Sequence, residues 1–412
     1  MRNLALLKKR NLKYILITSL FLAPYLLLLN SNLPYVSLKS YSPMLNFWDL
    51  NSDMINLWEC YKNVGLDLFS YESSTFPSLS TCHNFNYGYF SLVSFGFTHL
   101  LSQNVLFWGY LQVFLFTLLA VRIYILDKHP VNVSILVLAL YSPGIFLLFA
   151  SGNMDIQIMI LLQISSFLII SKKEKTALSL ICITALFKFY TAPIIVMALF
   201  LLKKSSKTYC YILTFVTFFM ICYQFFSHPL TSLGRNGAQA KFGLGILDNY
   251  LRKVGVKFSD FQGEILGATL LILSFLTIVF CYKKFTVTPK PIGSLSKNQE
   301  LLCINFLIMS GTSVTCYIFS LNVDYRLTFI ALSGLALLQL PYTKVKYISA
   351  IFPYFWLLSL WIAFPFNTFK KYIGIDLQPI GDITMIATIS YFIFQGFHIF
   401  RHVKYENTFL RQ

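Results

Sequence analysis

Phe187-Lys188-Phe189-Tyr190-Thr191-Ala192-Pro193 decides how this chain is threaded. It lies within the apolar stretch Thr176–Leu202, which has Lys172, Lys173 and Lys175 on one side and Lys203, Lys204 and Lys207 on the other. One continuous helix would carry the two Lys clusters to opposite faces of a bilayer, whereas two short helices return both to the same face. Proline lacks an N–H and clashes with the preceding turn, so Pro193 is expected to end or kink the helix. Loops on the cytoplasmic side of membrane proteins carry an excess of Lys and Arg. Both arguments predict two short helices that meet at the outer side, with Lys188 at the turn between them.

The same alternation holds outward from this point. Basic clusters occur at Arg2–Lys13, Arg122/Lys128, Lys172–Lys175, Lys203–Lys207, Lys283–Lys297, Lys344/Lys346 and Arg401–Arg411. Between them lie loops holding Asp49, Asp53, Glu59, Asp67, Asp155, Asp248, Asp324 and Asp376. One threading puts every basic cluster inside, which assigns 22 of the 33 Lys/Arg but only 4 of the 16 Asp/Glu to the cytoplasm. Acid–base chemistry is therefore expected on the outer face. With 56% apolar residues, 12% charged residues and a mean hydropathy of +0.65, an ordinary soluble protein is excluded. The net charge of +17 is spread over short membrane-flanking loops, so it fits anionic lipid and gives no reason to expect nucleic acid.

A crossing needs about 20 apolar residues. Candidates are Tyr14–Leu29, Asn104–Leu126, Val131–Ala150, Asp155–Ser171, Thr208–Ser227, Ile265–Tyr282, Glu300–Leu321, Tyr325–Leu340, Tyr347–Phe366 and Ile383–Phe400. With the two halves of Thr176–Leu202 the total is about twelve, and both termini are cytoplasmic. The first span follows a basic segment but lacks a small-x-small cleavage site, so it reads as uncleaved. Gly88–Leu101 is too short to span and reads as re-entrant or interfacial. The fold class expected is all-α, one integral membrane domain over residues 1–412. Of the eight Cys, six lie in or beside apolar spans as small hydrophobes, while Cys60 and Cys82 share an outer loop where a disulfide is an open alternative.

Two outer loops are long. In the first, 30–87, Leu50, Met54, Leu57, Trp58 and Tyr61 recur at helical spacing and predict a helix lying in the outer interface. Asp53 falls at the edge of its apolar stripe and Asp49 further toward water. A partly desolvated carboxylate at this depth suits a general base, and the choice between the two stays open. The second loop, 228–264, holds Arg235, Lys241, Arg252, Lys253 and Lys257. Its positive excess reflects either an anionic partner or a long loop translocated regardless of charge.

Three further groups sit at predicted outer boundaries. Lys188, surrounded by apolar residues, is either a snorkelling lysine or a cation for a lipid phosphate. Asn322-Val323-Asp324-Tyr325-Arg326 combines an acid, a phenol and a guanidinium whose planar fork suits phosphate; the alternative is an Asp–Arg pair anchoring a span end. Ser151-Gly152-Asn153-Met154-Asp155 joins two spans, and Asp155 is alternatively only a helix N-terminal acid. His83 has no second His or Cys at ligand spacing, so no metal site is expected there.

Taken in order, Asp53…Gly65-Leu66-Asp67, Asn86-Tyr87-Gly88, Gly152-Asn153-Met154-Asp155, Lys188-Phe189-Tyr190-Thr191-Ala192-Pro193 and Asp324-Tyr325-Arg326 resemble the layout of GT-C superfamily membrane glycosyltransferases. The nearest likeness is to glycosyltransferase family 87, the bacterial polyprenyl-phosphate-mannose-dependent enzymes. The block before Pro193 is two residues longer here, and the Asp53-to-Gly65 spacing is shorter. The resemblance implies a bacterial inner-membrane enzyme that moves a sugar, mannose in that family, from a polyprenyl-phosphate donor to a glycan or glycolipid acceptor, with inversion; no cofactor is expected, and no metal is strictly required because cations stabilise a monophosphate leaving group. It implies Asp53 or Asp49 as catalytic base, Lys188 and Arg326 on the donor phosphate, and Asn86, Tyr87, Asn153, Asp155, Tyr190, Asp324 and Tyr325 around the substrate. The alternatives are a polysaccharide polymerase or a lipid-linked oligosaccharide flippase, the latter expected to carry charge along its spans.

Overall fold

The computed structural model describes residues 15–23, 26, 105–124, 133–142, 144–145, 148–149, 155–201, 207–227, 260–285, 296–318, 327–340, 348–362 and 377–409. Among them there is no strand. Residues 15–23 are helical, and the helices that follow are α1 (Val105–Tyr124), α2 (Val133–Leu140), α3 (Asp155–Ile170), α4 (Glu174–Phe187), α5 (Ala192–Leu201), α6 (Lys207–Ser227), α7 (Asp260–Phe285), α8 (Lys297–Ile318), α9 (Leu327–Gln339), α10 (Ile348–Trp361) and α11 (Gln378–Phe409), with a 3-10 turn at Phe189–Thr191. Gln262–Lys284, Lys297–Ile318 and Pro379–Arg401 are long and apolar enough to cross a membrane, and six shorter helices are also apolar. These helices support a membrane-embedded protein. The interfacial helix expected in loop 30–87, the segment Gly88–Leu101 and Cys60 with Cys82 lie outside the described residues, as does most of loop 228–264, whose residues 260–264 form the first turn of α7.

α8 is the hub. It packs on α3, α5, α9, α11 and the 3-10 turn, and most of its side chains are buried. Its small polar residues serve this role because they close their hydrogen bonds locally: Thr312 donates to the Ile308 carbonyl at 2.9 Å, Ser313 to Met309 at 2.9 Å and Thr315 to Gly311 at 2.9 Å. Buried hydroxyls are thereby satisfied, and their small volume lets neighbouring backbones approach. Gly311 faces Ile194 of α5, whose Cδ1 would lie 2.7 Å from an added Cβ. Gly334 of α9 leaves room for the Trp356 indole of α10, which donates to the Ile330 carbonyl at 2.9 Å. At the end away from Lys188, Tyr124 donates to Asn305 Oδ1 at 2.7 Å and Gln339 to the Tyr124 carbonyl at 2.6 Å, tying α1, α8 and α9 together.

α6 and α7 form the periphery. Phe215, Phe219, Leu276 and Phe280 are more than half exposed, which a bilayer would cover. The stretch expected as one span at Val131–Ala150 is divided: α2 ends at Leu140 in a turn at Tyr141-Ser142, and helical residues resume at 144–145 and 148–149. The Ser142-Pro143 sequence gives the reason, since the residue before proline is disfavoured in the α region.

The break in Thr176–Leu202 is present, but its cause differs from the expectation. Lys188 closes α4 in an extended conformation (φ −145°, ψ 121°), and its N–H still bonds the Thr184 carbonyl at 2.9 Å. Pro193 does not end a helix; it sits at the second position of α5, where its missing N–H has no partner to lose and its fixed φ suits the first turn.

Candidate functional site

α3, α4 and the 3-10 turn meet at the break. Lys188 lies beyond the C-terminus of α4, where helix carbonyls favour a cation, and Asp155 opens α3, where helix amides favour an anion. The two ends adjoin, and Lys188 Nζ lies 2.6 Å from Asp155 Oδ1. Tyr190, in the 3-10 turn, donates its hydroxyl to the same oxygen at 2.5 Å, and its ring lies 5.9 Å from Nζ. The turn itself is stapled by Thr191, which donates from its N–H (3.2 Å) and its hydroxyl (3.0 Å) to the Lys188 carbonyl. Asp155 is fully buried, and Lys188 is only 6% exposed.

Burying both ions is costly. Their mutual attraction and the shared phenol offset that cost only in good geometry, and removing either partner strands a buried charge. Lys188 is thus not the open surface cation expected at an outer turn. It is a buried, neutralised one, because α4 packs along α3 and so sets its end beside Asp155.

Phe329, in the first turn of α9, meets the Tyr190 ring edge-on at 6.0 Å between centroids. α9 begins at Leu327, directly after Asp324-Tyr325-Arg326 in the sequence. Asp324, Tyr325 and Arg326 themselves lie outside the described residues, as do Asp49, Asp53, Asn86, Tyr87 and Asn153. Of the expected site residues, the structure therefore brings together Lys188, Asp155 and Tyr190.

A second acid was not singled out from the sequence. Asp382, near the start of α11, is fully buried. The signal was an acid at the edge of the apolar run 383–400, absorbed there into a span boundary. Among the described residues no group of three or more His, Cys, Asp or Glu could hold a metal ion. No known protein family, curated protein or solved structure matches this chain.

Proposed function

We propose that the protein transfers a sugar from a polyprenyl-phosphate donor to a cell-envelope glycan or glycolipid at the outer membrane face, with inversion. The observation that carries the proposal is the buried Lys188–Asp155–Tyr190 cluster at a helix break, beside the helix that follows Asp324-Tyr325-Arg326. An ionisable group kept at membrane depth is expensive, so its presence at a break between spans favours a functional role. The proposal includes the twelve-crossing GT-C-like threading with both termini cytoplasmic.

In the mechanism, Asp53, with Asp49 as the alternative, removes the proton from the acceptor hydroxyl. The acceptor oxygen bonds to the anomeric carbon as the bond from that carbon to the phosphate oxygen breaks, and the electron pair leaves on the lipid phosphate. Attack opposite the leaving group inverts the centre. Lys188 and Arg326 stabilise the charge developing on the departing phosphate.

Donor binding tests the assignment. Truncating one member of a desolvated charge pair costs about 2–5 kcal/mol, so Lys188→Ala and Arg326→Ala should each bind a polyprenyl-phosphate sugar far more weakly. Unchanged affinity in both removes the proposal. Charge buried within the bundle at Asp155, Lys188 and Asp382 also fits a lipid-linked oligosaccharide flippase. The two readings separate on bond cleavage, which only the transferase performs.

A further inference from the structure

We infer that Asp155 sets the charge of the phosphate headgroup this site retains, holding a monoanionic phosphodiester and rejecting a dianionic phosphomonoester. This rests on the sugar-transfer proposal, and it makes Asp155 a positioning residue that acts through Lys188. The single charge of Lys188 is already neutralised by Asp155 at 2.6 Å, and Tyr190 tethers the same carboxylate oxygen. An incoming anion therefore meets a neutral pair whose carboxylate stays in place.

A sugar–phosphate–lipid donor is a phosphodiester and brings one negative charge. Transfer breaks the bond between sugar and phosphate and leaves the lipid as a monoester, whose second ionisation falls near pH 6. Above that pH the spent carrier brings close to one more negative charge toward Asp155. At the effective dielectric of protein sites, an extra unit charge several ångströms away changes affinity by about 10- to 100-fold. The carboxylate that tolerates the donor thus expels the product.

Among the described residues, the packed elements bring few other titratable groups to this end of the bundle: Tyr110 from α1, Cys222 and Tyr223 from α6, Cys316 and Tyr317 from α8 and Asp382 from α11, with none from α5 or α9. None of them is a cation, and in the proposed mechanism the single charge of Arg326 balances the diester but not the second charge of the monoester.

The test uses the full chain in nanodiscs with two short probes, farnesyl phosphate (monoester) and farnesyl methyl phosphate (diester), titrated from pH 5 to pH 8. At pH 8 the wild type should bind the diester about 10- to 100-fold more tightly. The gap should close as pH falls through about 6, because the monoester takes up a proton while the diester does not. In Asp155→Asn the gap at pH 8 should shrink by a similar factor. Equal affinity for both probes at pH 8 in the wild type, or an unchanged gap in Asp155→Asn, overturns the inference and leaves the transferase proposal standing. Binding of neither probe by the wild type overturns both. Should Asp155→Asn fail to fold, the wild-type pH series decides alone.

Discussion

Lys188 and Asp155 each make the other tolerable. Replacing Lys188 by Met takes the cation away from a buried carboxylate, and should cost about 3–5 kcal/mol. Replacing both, as Lys188→Met with Asp155→Leu, removes the stranded charge and should recover most of that loss. Thermal unfolding of the detergent-solubilised single and double variants checks this; additive losses would deny the coupling. The catalytic assignment belongs to the same scale. Asp53→Asn keeps the side chain's size but cannot accept a proton, so turnover should fall by about 10²–10⁴-fold while donor binding survives. Loss in Asp49→Asn instead would transfer the role, and full turnover in both would end it. The lysine at the break was legible as a motif because an isolated charge in an apolar run is conspicuous. Its pairing with Asp155, 33 positions earlier, was not, since it takes the side-by-side packing of α3 and α4 to bring the start of one helix beside the end of the other.

At the scale of elements, close approach of helices is set by two glycines. A Cβ at Gly334 would fall inside the Trp356 indole, a rigid ring held by its bond to the Ile330 carbonyl. At Gly311 it would meet the flexible ends of Ile194 and, at ordinary contact distance, Met197. Gly334→Ala should therefore destabilise by about 1–3 kcal/mol through overpacking, and Gly311→Ala by clearly less. Melting temperatures followed by tryptophan fluorescence check the order; equal effects would contradict it. Hydropathy identified most of these helices but misplaced their ends. α7 starts at Asp260 and not Ile265, and α11 runs from Gln378 to Phe409 beyond the expected Ile383–Phe400. Polar and charged residues continue both helices past the apolar core, and an apolar-run criterion stops short of them. Proline at 193 was a correct marker of the break for the wrong reason, since it starts α5 and the extended backbone at Lys188 ends α4.

For the whole molecule, α8 as a buried hub and α6 and α7 as an apolar rim fit a bundle that shows lipid its periphery and keeps its polar residues inside. In the proposed threading, Lys175 and Ser205 share the cytoplasmic side. Cysteines placed there in a background lacking the eight native Cys should both be protected from an impermeant thiol reagent applied outside, and labelling of only one would contradict the threading. The central claim is sugar transfer, and its most direct measurement is release of polyprenyl phosphate by the purified protein in nanodiscs from a panel of polyprenyl-phosphate sugars, with envelope glycolipid as acceptor. The account predicts acceptor-dependent release from at least one donor, abolished in Lys188→Ala. No release from any donor, together with passage of intact lipid-linked sugar across the bilayer, would contradict it.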